Sequence, residues 1–336
     1  MSTPLCSPLA LRIVGTGEYL PERIRHSSEF DRRWGKPDGW TFHHSGVMSR
    51  HVADAHETSS YMGAMAARRA LAVAGLAQTD CLISACSVME QPIPCLGALL
   101  QRELGWGNSG IPAFDVNATC LSFLVALDIA AMAVAANRYR RILIVASEVP
   151  SCGLNLENTE TAPLFGDGAV AVIVEAGDGG GGSWLLGSRL ETYGDGAEHC
   201  RVRAGGTRLR VEDDIEAFVQ GAHFEMDGRM VYRQAAQLLP GFLQRLFAGA
   251  GMGIDAMQWL VPHQASGKAL EHVQKSLCLP AGRMVHILRN HGNQLSASIP
   301  AGLHHLIQDG CLRRGDHVAL LGTGAGLALG GAILRY

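Results

Sequence analysis

Residues 121–136 form an apolar run in which only Ser122 and Asp128 are strongly polar. A helix with no polar face must be covered on every side, so this run demands a large domain with protein above and below it. It is shorter than the roughly 20 residues of a membrane span, and the strand-like run at 141–147 follows at once, so it reads as a core helix. Directly ahead of it stands Phe114-Asp-Val-Asn-Ala-Thr-Cys120, which sets a cysteine at the helix's first turn. Backbone N–H groups are unpaired there and the helix dipole is positive, so the placement predicts a lowered thiol pKa and a nucleophile at Cys120. The competing reading is a packing cysteine, since free cysteine is among the most buried side chains. Other residues have to decide between them.

Composition sets the class. With 336 residues, 47% hydrophobic, 41 glycines and 18% charged residues, the chain has a large core and too many small residues for a helical bundle. It reads as a soluble α/β protein. A net charge of −3 offers no basic surface for nucleic acid or an anionic membrane, which points to small-molecule or protein partners. The nine cysteines contain no CxxC pair and no metal-type spacing, and the N-terminus carries no cationic-then-apolar signal. The expectation is a reduced, cytoplasmic protein.

Strand-like runs at 11–15, 80–85, 113–116, 141–147 and 170–175 alternate with helical patterns, including one at 61–74. A second series follows, with strands expected at 258–261, 286–288 and 317–321 and helices at 230–248, 268–277 and 298–309. Residues 164–174 and 320–330 share a G-x-G-A turn leading into an apolar strand, so each closes one half of a duplicated chain. The glycine run at 179–183 reads as the joint between an N-terminal half, 1–178, and a C-terminal half, 184–336. In a body built this way the site is expected between the halves. Residues 193–215 read as a surface loop.

Two further motifs sit at site-like positions. Val261-Pro-His263-Gln-Ala-Ser266 places a histidine at a strand end, and Asn290-His-Gly-Asn293 is a polar turn entering a helix. Each has a plain structural reading, a hydrogen-bonded histidine and a helix cap. Together with Cys120 they match a nucleophile, a base and a carboxamide donor. Gly15-Thr-Gly17 and Gly322-Thr-Gly-Ala-Gly326 suggest a phosphate loop, but neither completes G-x-G-x-x-G, and too little chain follows Gly326 for the remaining βαβ unit. His43, His44, His51, His56, His304 and His305 show no i, i+4 zinc pairing with a carboxylate, so no metal is assigned.

These motifs resemble the β-ketoacyl-acyl-carrier-protein synthase III family of the thiolase superfamily. The likeness runs through Gly46–His51, Glu57–Gly63, Asp115–Cys120, Phe165–Ala169, Leu260–Ala265, His291-Gly-Asn293, Ser296–Pro300 and Gly322–Gly331. It implies a duplicated five-layer αβαβα thiolase fold, a homodimer and a Cys120-His263-Asn293 triad. It further implies that the amides of Cys120 and Ala325 form an oxyanion hole. The activity implied is a decarboxylative Claisen condensation: Cys120 takes an acyl group from a thioester, and His263 and Asn293 stabilise the enolate of a malonyl thioester that attacks it. Phosphopantetheine thioesters, on acyl carrier protein or coenzyme A, are the implied substrates, and no metal or redox cofactor is implied.

The departures also inform. Trp40 keeps the family's tryptophan at the carrier-arm entrance, but His44, Thr159 and Lys268 stand where the family places arginines and Ser266 where it places an asparagine. Lysine does not reproduce a planar arginine fork, so grip on the coenzyme A nucleotide is expected to be weak, with Arg229 the remaining candidate for that end. Ile93 stands where the primer synthase of fatty-acid biosynthesis has a phenylalanine closing the acyl pocket across the dimer, which implies a roomier pocket and a specialised relative. Two other readings stay open: acyl transfer from the same cysteine to an oxygen or nitrogen nucleophile, and a non-catalytic partner subunit.

Overall fold

A computed structural model of the protein describes residues 8–177, 182–280 and 282–336. Residues 179–181 of the proposed glycine joint lie outside the described residues. The main strands are β1 (Leu9–Tyr19), β2 (Cys81–Ser84), β3 (Ala113–Asp115), β4 (Arg141–Glu148), β5 (Gly168–Ala176), β6 (Trp184–Thr192), β7 (Trp259–Pro262), β8 (His317–Gly324) and β9 (Ala328–Arg335). Their spatial order is β7-β8-β9-β6-β1-β5-β4-β2-β3. The first half pairs β1-β5-β4-β2-β3 and the second repeats it as β6-β9-β8-β7, the two sheets meeting where Leu9 and Ala10 pair with Leu185 and Trp184. The expected strand at 286–288 is instead one parallel bridge between Leu260 and Met284, and residues Leu288–His291 turn as a short helix. That bridge occupies the place of β3 in the repeat.

Helices make the remaining layers. Ser59–Ala74 and Leu96–Glu103 cover the outer face of the first sheet, while Gly228–Gly249 and Gly267–Ser276 cover the second. Ser122–Ala135 and Ser298–Gln308 lie between the sheets. Three apolar cores match this stack: one under each outer layer, and a central one in which Phe123, Leu127 and Ile299 pack with residues of both sheets. Each large apolar side chain buried there contributes roughly 1.5–3 kcal/mol. Asp128, the polar residue in the middle of the first central helix, accepts a hydrogen bond from the Ser188 hydroxyl.

Gly15 and Gly17 serve this packing and lie inside β1, where the Ser59–Ala74 helix presses its backbone onto the strand. A Cβ at Gly15 would come within 2.3 Å of the Ala70 carbonyl oxygen, and one at Gly17 within 2.4 Å of that of Ala66. No space is left there for a phosphate. The 193–215 loop is only partly irregular, because Gly194–His199 forms a 3-10 turn and Cys200–Arg201 pairs antiparallel with Glu225–Met226.

The halves also repeat a local distortion. Thr119 (φ 52°) and Leu295 (φ 48°) each stand three residues before the first residue of a central helix. Positive φ costs a non-glycine residue about 1–3 kcal/mol and persists only where the surroundings impose it. Cys120 and Asn293 flank these two strained entries.

Candidate active site

Cys120 lies ahead of the helix and not in its first turn, since Leu121 is the N-cap and the helix begins at Ser122. The Ser122 hydroxyl ties the entry down, accepting from the Ala118 N–H at 2.9 Å and donating to the Thr119 carbonyl at 2.6 Å. The C-terminal glycine turn packs onto the same segment: a Cβ at Gly324 would sit 2.8 Å from Thr119 Oγ1. This contact brings the Ala325 N–H to the Cys120 sulfur, beside the cysteine's own N–H. Both would favour a thiolate. Burial nevertheless dominates, with Glu148 adding to it, and pushes the thiol above its ordinary range. The expected lowering of the Cys120 pKa is therefore corrected: its surroundings favour the neutral thiol over the thiolate.

His263 follows β7 and is 6% exposed. Its backbone N–H donates to Leu321 O at 2.7 Å, which fixes the turn beside β8. Gln264 anchors the turn from the other side, its amide donating to the Pro262 and Val285 carbonyls and accepting from the N–H groups of Ile287 and Leu288. Burial alone lowers the His263 pKa to about 4, so the ring is neutral near pH 7. Among the described residues nothing hydrogen-bonds its Nδ1.

Asn293 reaches the same place from the turn ahead of the second central helix. Its Nδ2 donates to Ala265 O at 3.4 Å and its Oδ1 accepts from the Leu295 N–H at 2.9 Å, so the amide is oriented with donor capacity to spare. The helix cap read from the sequence is not what Asn293 makes, because Ala297 is the N-cap of Ser298–Gln308 and the Asn293 carboxamide closes a turn onto Leu295 instead. Phe165 bridges to Asn293, and Cys120 packs against the cluster of Leu164, Phe165 and Leu295. Val88, Leu154, Phe224 and Met226 pack against the same cluster. Except for Leu164 and Phe165 in the G-x-G-A motif, these lining residues carry no local signal in the sequence. Met226 belongs to the strand that pairs with Cys200, which ties the 193–215 region to this apolar cluster.

Behind the pocket, the buried Glu148 accepts hydrogen bonds from the Ser296 hydroxyl and the Ser87 and Val88 N–H groups. Burial outweighs those bonds and pushes its pKa up to about 7. It ties the end of β4 to the segment between Asn293 and the second central helix.

The rim residues are more dispersed in role. Trp40 opens a short helix, Trp40–Ser45, that packs on Gly267–Ser276. His44 stacks on the Trp40 ring at 4.0 Å between centroids and its Nδ1 donates to Trp40 O at 2.7 Å, while Lys36 lies 5.1 Å from the ring centroid. Ser266 is the N-cap of Gly267–Ser276, accepting from the Ala269 N–H at 3.3 Å. Lys268 and Arg229 are exposed, and Thr159 is half-buried. Ile93 is 85% exposed.

A duplicated five-layer fold with a half-buried cysteine, an imidazole and a carboxamide at the junction of its halves defines a thiolase-type acyl-transferring enzyme. The family profile described as 3-Oxoacyl-[acyl-carrier-protein (ACP)] synthase III matches residues 114–197, and that of its C-terminal part matches 247–336. Beta-ketoacyl-[acyl-carrier-protein] synthase III of Acidiphilium cryptum is 35% identical over 96% of this chain and 98% of its own length, and that of Sphingopyxis alaskensis is 34% identical over 96% and 98%. Among solved structures, 3-oxoacyl-(acyl carrier protein) synthase III of Pseudomonas aeruginosa superposes with TM-score 0.87 at 30% identity, covering 97% of this chain and 98% of that one. The priming β-ketosynthase of the R1128 polyketide pathway gives 0.86 at 28% identity over 99% and 98%. The chain belongs to the β-ketoacyl-acyl-carrier-protein synthase III family. It is a condensing enzyme of the decarboxylative Claisen type.

Proposed function

We propose that Cys120 carries the acyl chain and that His263 and Asn293 stabilise the enolate that attacks it. The convergence of two backbone N–H groups on a cysteine sulfur inside an apolar pocket carries this reading. Neutral His263 takes the thiol proton as Sγ attacks the donor carbonyl, and the departing pantetheine thiolate recovers it. The amides of Cys120 and Ala325 receive the oxyanion, and losing one such donor costs about 3–4 kcal/mol of transition-state stabilisation. In the second step a malonyl thioester loses carbon dioxide, and the electrons of the broken C–C bond form an enolate held by His263 and Asn293. Its carbon attacks the acyl-Cys120 carbonyl, the C–S bond breaks, and a β-ketoacyl thioester leaves. These steps call on no cofactor beyond the pantetheine thioesters themselves.

Asn293, held ready by Leu295, favours condensation over transfer to an oxygen or nitrogen nucleophile, and the intact Cys120 disfavours a non-catalytic subunit. The open edge of β3, with Phe114 37% exposed, is a template for pairing with a second copy, which would carry Ile93 to its partner's pocket in a homodimer. The eight described cysteines are all free thiols, in keeping with work in the cytoplasm. With His44, Thr159 and Lys268 on the rim, the adenosine end of coenzyme A lacks charge-assisted contacts worth about 1.5–3 kcal/mol each, so acyl carrier protein is the favoured donor.

Intact-protein mass after incubation with matched acyl-carrier-protein and acyl-coenzyme A panels tests both points. The expected result is one acyl group per chain, absent in Cys120→Ala, with a higher kcat/KM from carrier-protein donors. Acylation persisting in Cys120→Ala would overturn the nucleophile. Coenzyme A donors proving superior at every chain length would overturn the donor preference alone.

A further inference from the structure

A second cluster of chemically able side chains lies apart from the residues assigned to the reaction. Glu18 stands near the end of β1, His291 ends the short helix Leu288–His291, and His305 projects from the central helix Ser298–Gln308. Glu18 Oε1 is 3.6 Å from His291 Nε2, and Glu18 Oε2 is 3.3 Å from His305 Nε2. One ligand atom from each of the three residues lies within 4.8 Å of the others. Two ligands bound tetrahedrally at about 2.0–2.1 Å from zinc are separated by about 3.4 Å, so each histidine stands at about the ligand-to-ligand spacing from one oxygen of Glu18.

The tautomers argue the same way. His291 Nδ1 lies 3.1 Å from the Ile287 carbonyl oxygen, which only accepts, so Nδ1 holds the proton. In the neutral ring Nε2 then presents a lone pair to the Glu18 carboxylate. Two acceptors then face each other unless a proton or a metal ion stands between them, and among the described residues Glu18 Oε1, His291 Nε2 and His305 Nε2 have no hydrogen-bond partner. An imidazole oriented through its far nitrogen by a backbone carbonyl is also how metal-binding histidines are commonly held.

The surroundings leave the carboxylate available. The Arg69 guanidinium donates to the backbone carbonyl of Glu18 and lies 5.5 Å from the Tyr19 ring centroid. His304 Nδ1 is engaged by Thr16 Oγ1 at 2.9 Å and His51 Nδ1 by the Pro21 carbonyl. The Glu18 and His291 side chains are 12% exposed and that of His305 32%, which gives an ion and a coordinating water a way in.

We propose that Glu18, His291 and His305 form a three-ligand site for a divalent transition metal, with zinc the ion this nitrogen and oxygen set suits. Bound there, the ion joins β1, the turn that carries Asn293 and the second central helix. It is a structural tie, independent of the reaction assigned to the cleft.

Metal-stripped full-length protein titrated with zinc chloride against a chromogenic chelator tests this. The wild type is expected to take one equivalent per chain with a zinc-dependent rise in Tm, and Glu18→Gln and His305→Gln to bind at least tenfold more weakly. Cobalt should give tetrahedral visible bands without the thiolate charge-transfer band of a cysteine site. A folded wild type that binds no stoichiometric zinc, or variants that bind it equally well, would overturn the site. Should the variants fail to fold, anomalous diffraction from zinc-loaded wild-type crystals decides. A peak within bonding distance of the three ligand atoms supports the proposal, and zinc found only elsewhere refutes it.

Discussion

Gly292 separates two side chains that answer the problem of a buried polar group in opposite ways. On one side Asn293 enters the cleft with His263, which has lost water without gaining a countercharge, so its pKa falls to about 4 and the ring stays neutral. On the other side His291 joins His305 around Glu18. Burial there disfavours the carboxylate, yet the two imidazoles outweigh it and hold Glu18 down at about 2, while Glu18 raises His305. Desolvation without a partner makes a neutral hydrogen-bonding group suited to an enolate, whereas desolvation with one keeps a carboxylate charged beside two imidazoles, whose lone pairs an ion takes by displacing their protons. Neighbouring positions in one turn thereby serve unlike chemistry.

The change expected to damage both sides at once is Gly292→Ala. Gly292 has φ 70° and ψ −170°, a region essentially reserved for glycine, and an added Cβ would meet Leu164 O at 2.9 Å and Gly166 N at 3.0 Å. Backbone strain and overpacking together should cost roughly 2–6 kcal/mol, read from the denaturation midpoint, and both condensation and zinc uptake should fail. Near-wild-type stability with either function intact would show that the turn does not couple them.

Asn293→Ala separates the two sides. The condensation rate should drop by about 10²–10³, the usual loss for a preorganised donor to a developing oxyanion, while acyl loading of Cys120 and zinc affinity persist. Single-turnover measurement resolves the steps. Equal losses in loading and condensation would refute the division of labour between Cys120 and Asn293.

The third prediction uses the pKa of His263. Between pH 6.5 and about 4 the unfolded chain takes up a proton at this residue and the folded chain does not, so its contribution to stability is present above 6.5 and lost as pH falls. The loss amounts to about 3 kcal/mol. Glu148, raised to about 7, acts in the opposite sense by stabilising the fold on acidification, but it is common to wild type and variant. The stability difference between wild type and His263→Gln should therefore shift by about 3 kcal/mol against the wild type across this range. A constant difference would mean that His263 is charged or solvated in the native cleft.

The sequence was most legible where a local pattern carried the meaning. The unbroken apolar run after Cys120 required a central layer, and the helix Ser122–Ala135 lies between two sheets. The paired G-x-G-A turns marked the last strand of each half, now β5 and β9. The positions of Cys120, His263 and Asn293 at strand and helix ends could likewise be read from their flanking residues. Where local pattern misled, distance along the chain was the cause. The expected strand at 286–288 shrank to a bridge at Met284, because Gln264, from a separate turn, takes up the N–H groups of Ile287 and Leu288.

Chain order and side-chain type were enough to determine the duplicated α/β plan and the family and to single out candidate residues for the chemistry, since periodicity and capping are properties of neighbours. Only the tertiary structure decided their electrical state. A helix terminus predicts a thiolate at Cys120, but the apolar wall of Phe165, Phe224 and Met226 and the nearby Glu148 make it a neutral thiol. The same holds for Glu18, His291 and His305, whose grouping no spacing announces. Burial and countercharge depend on what the fold brings within a few ångströms, and those neighbours come from opposite ends of the chain.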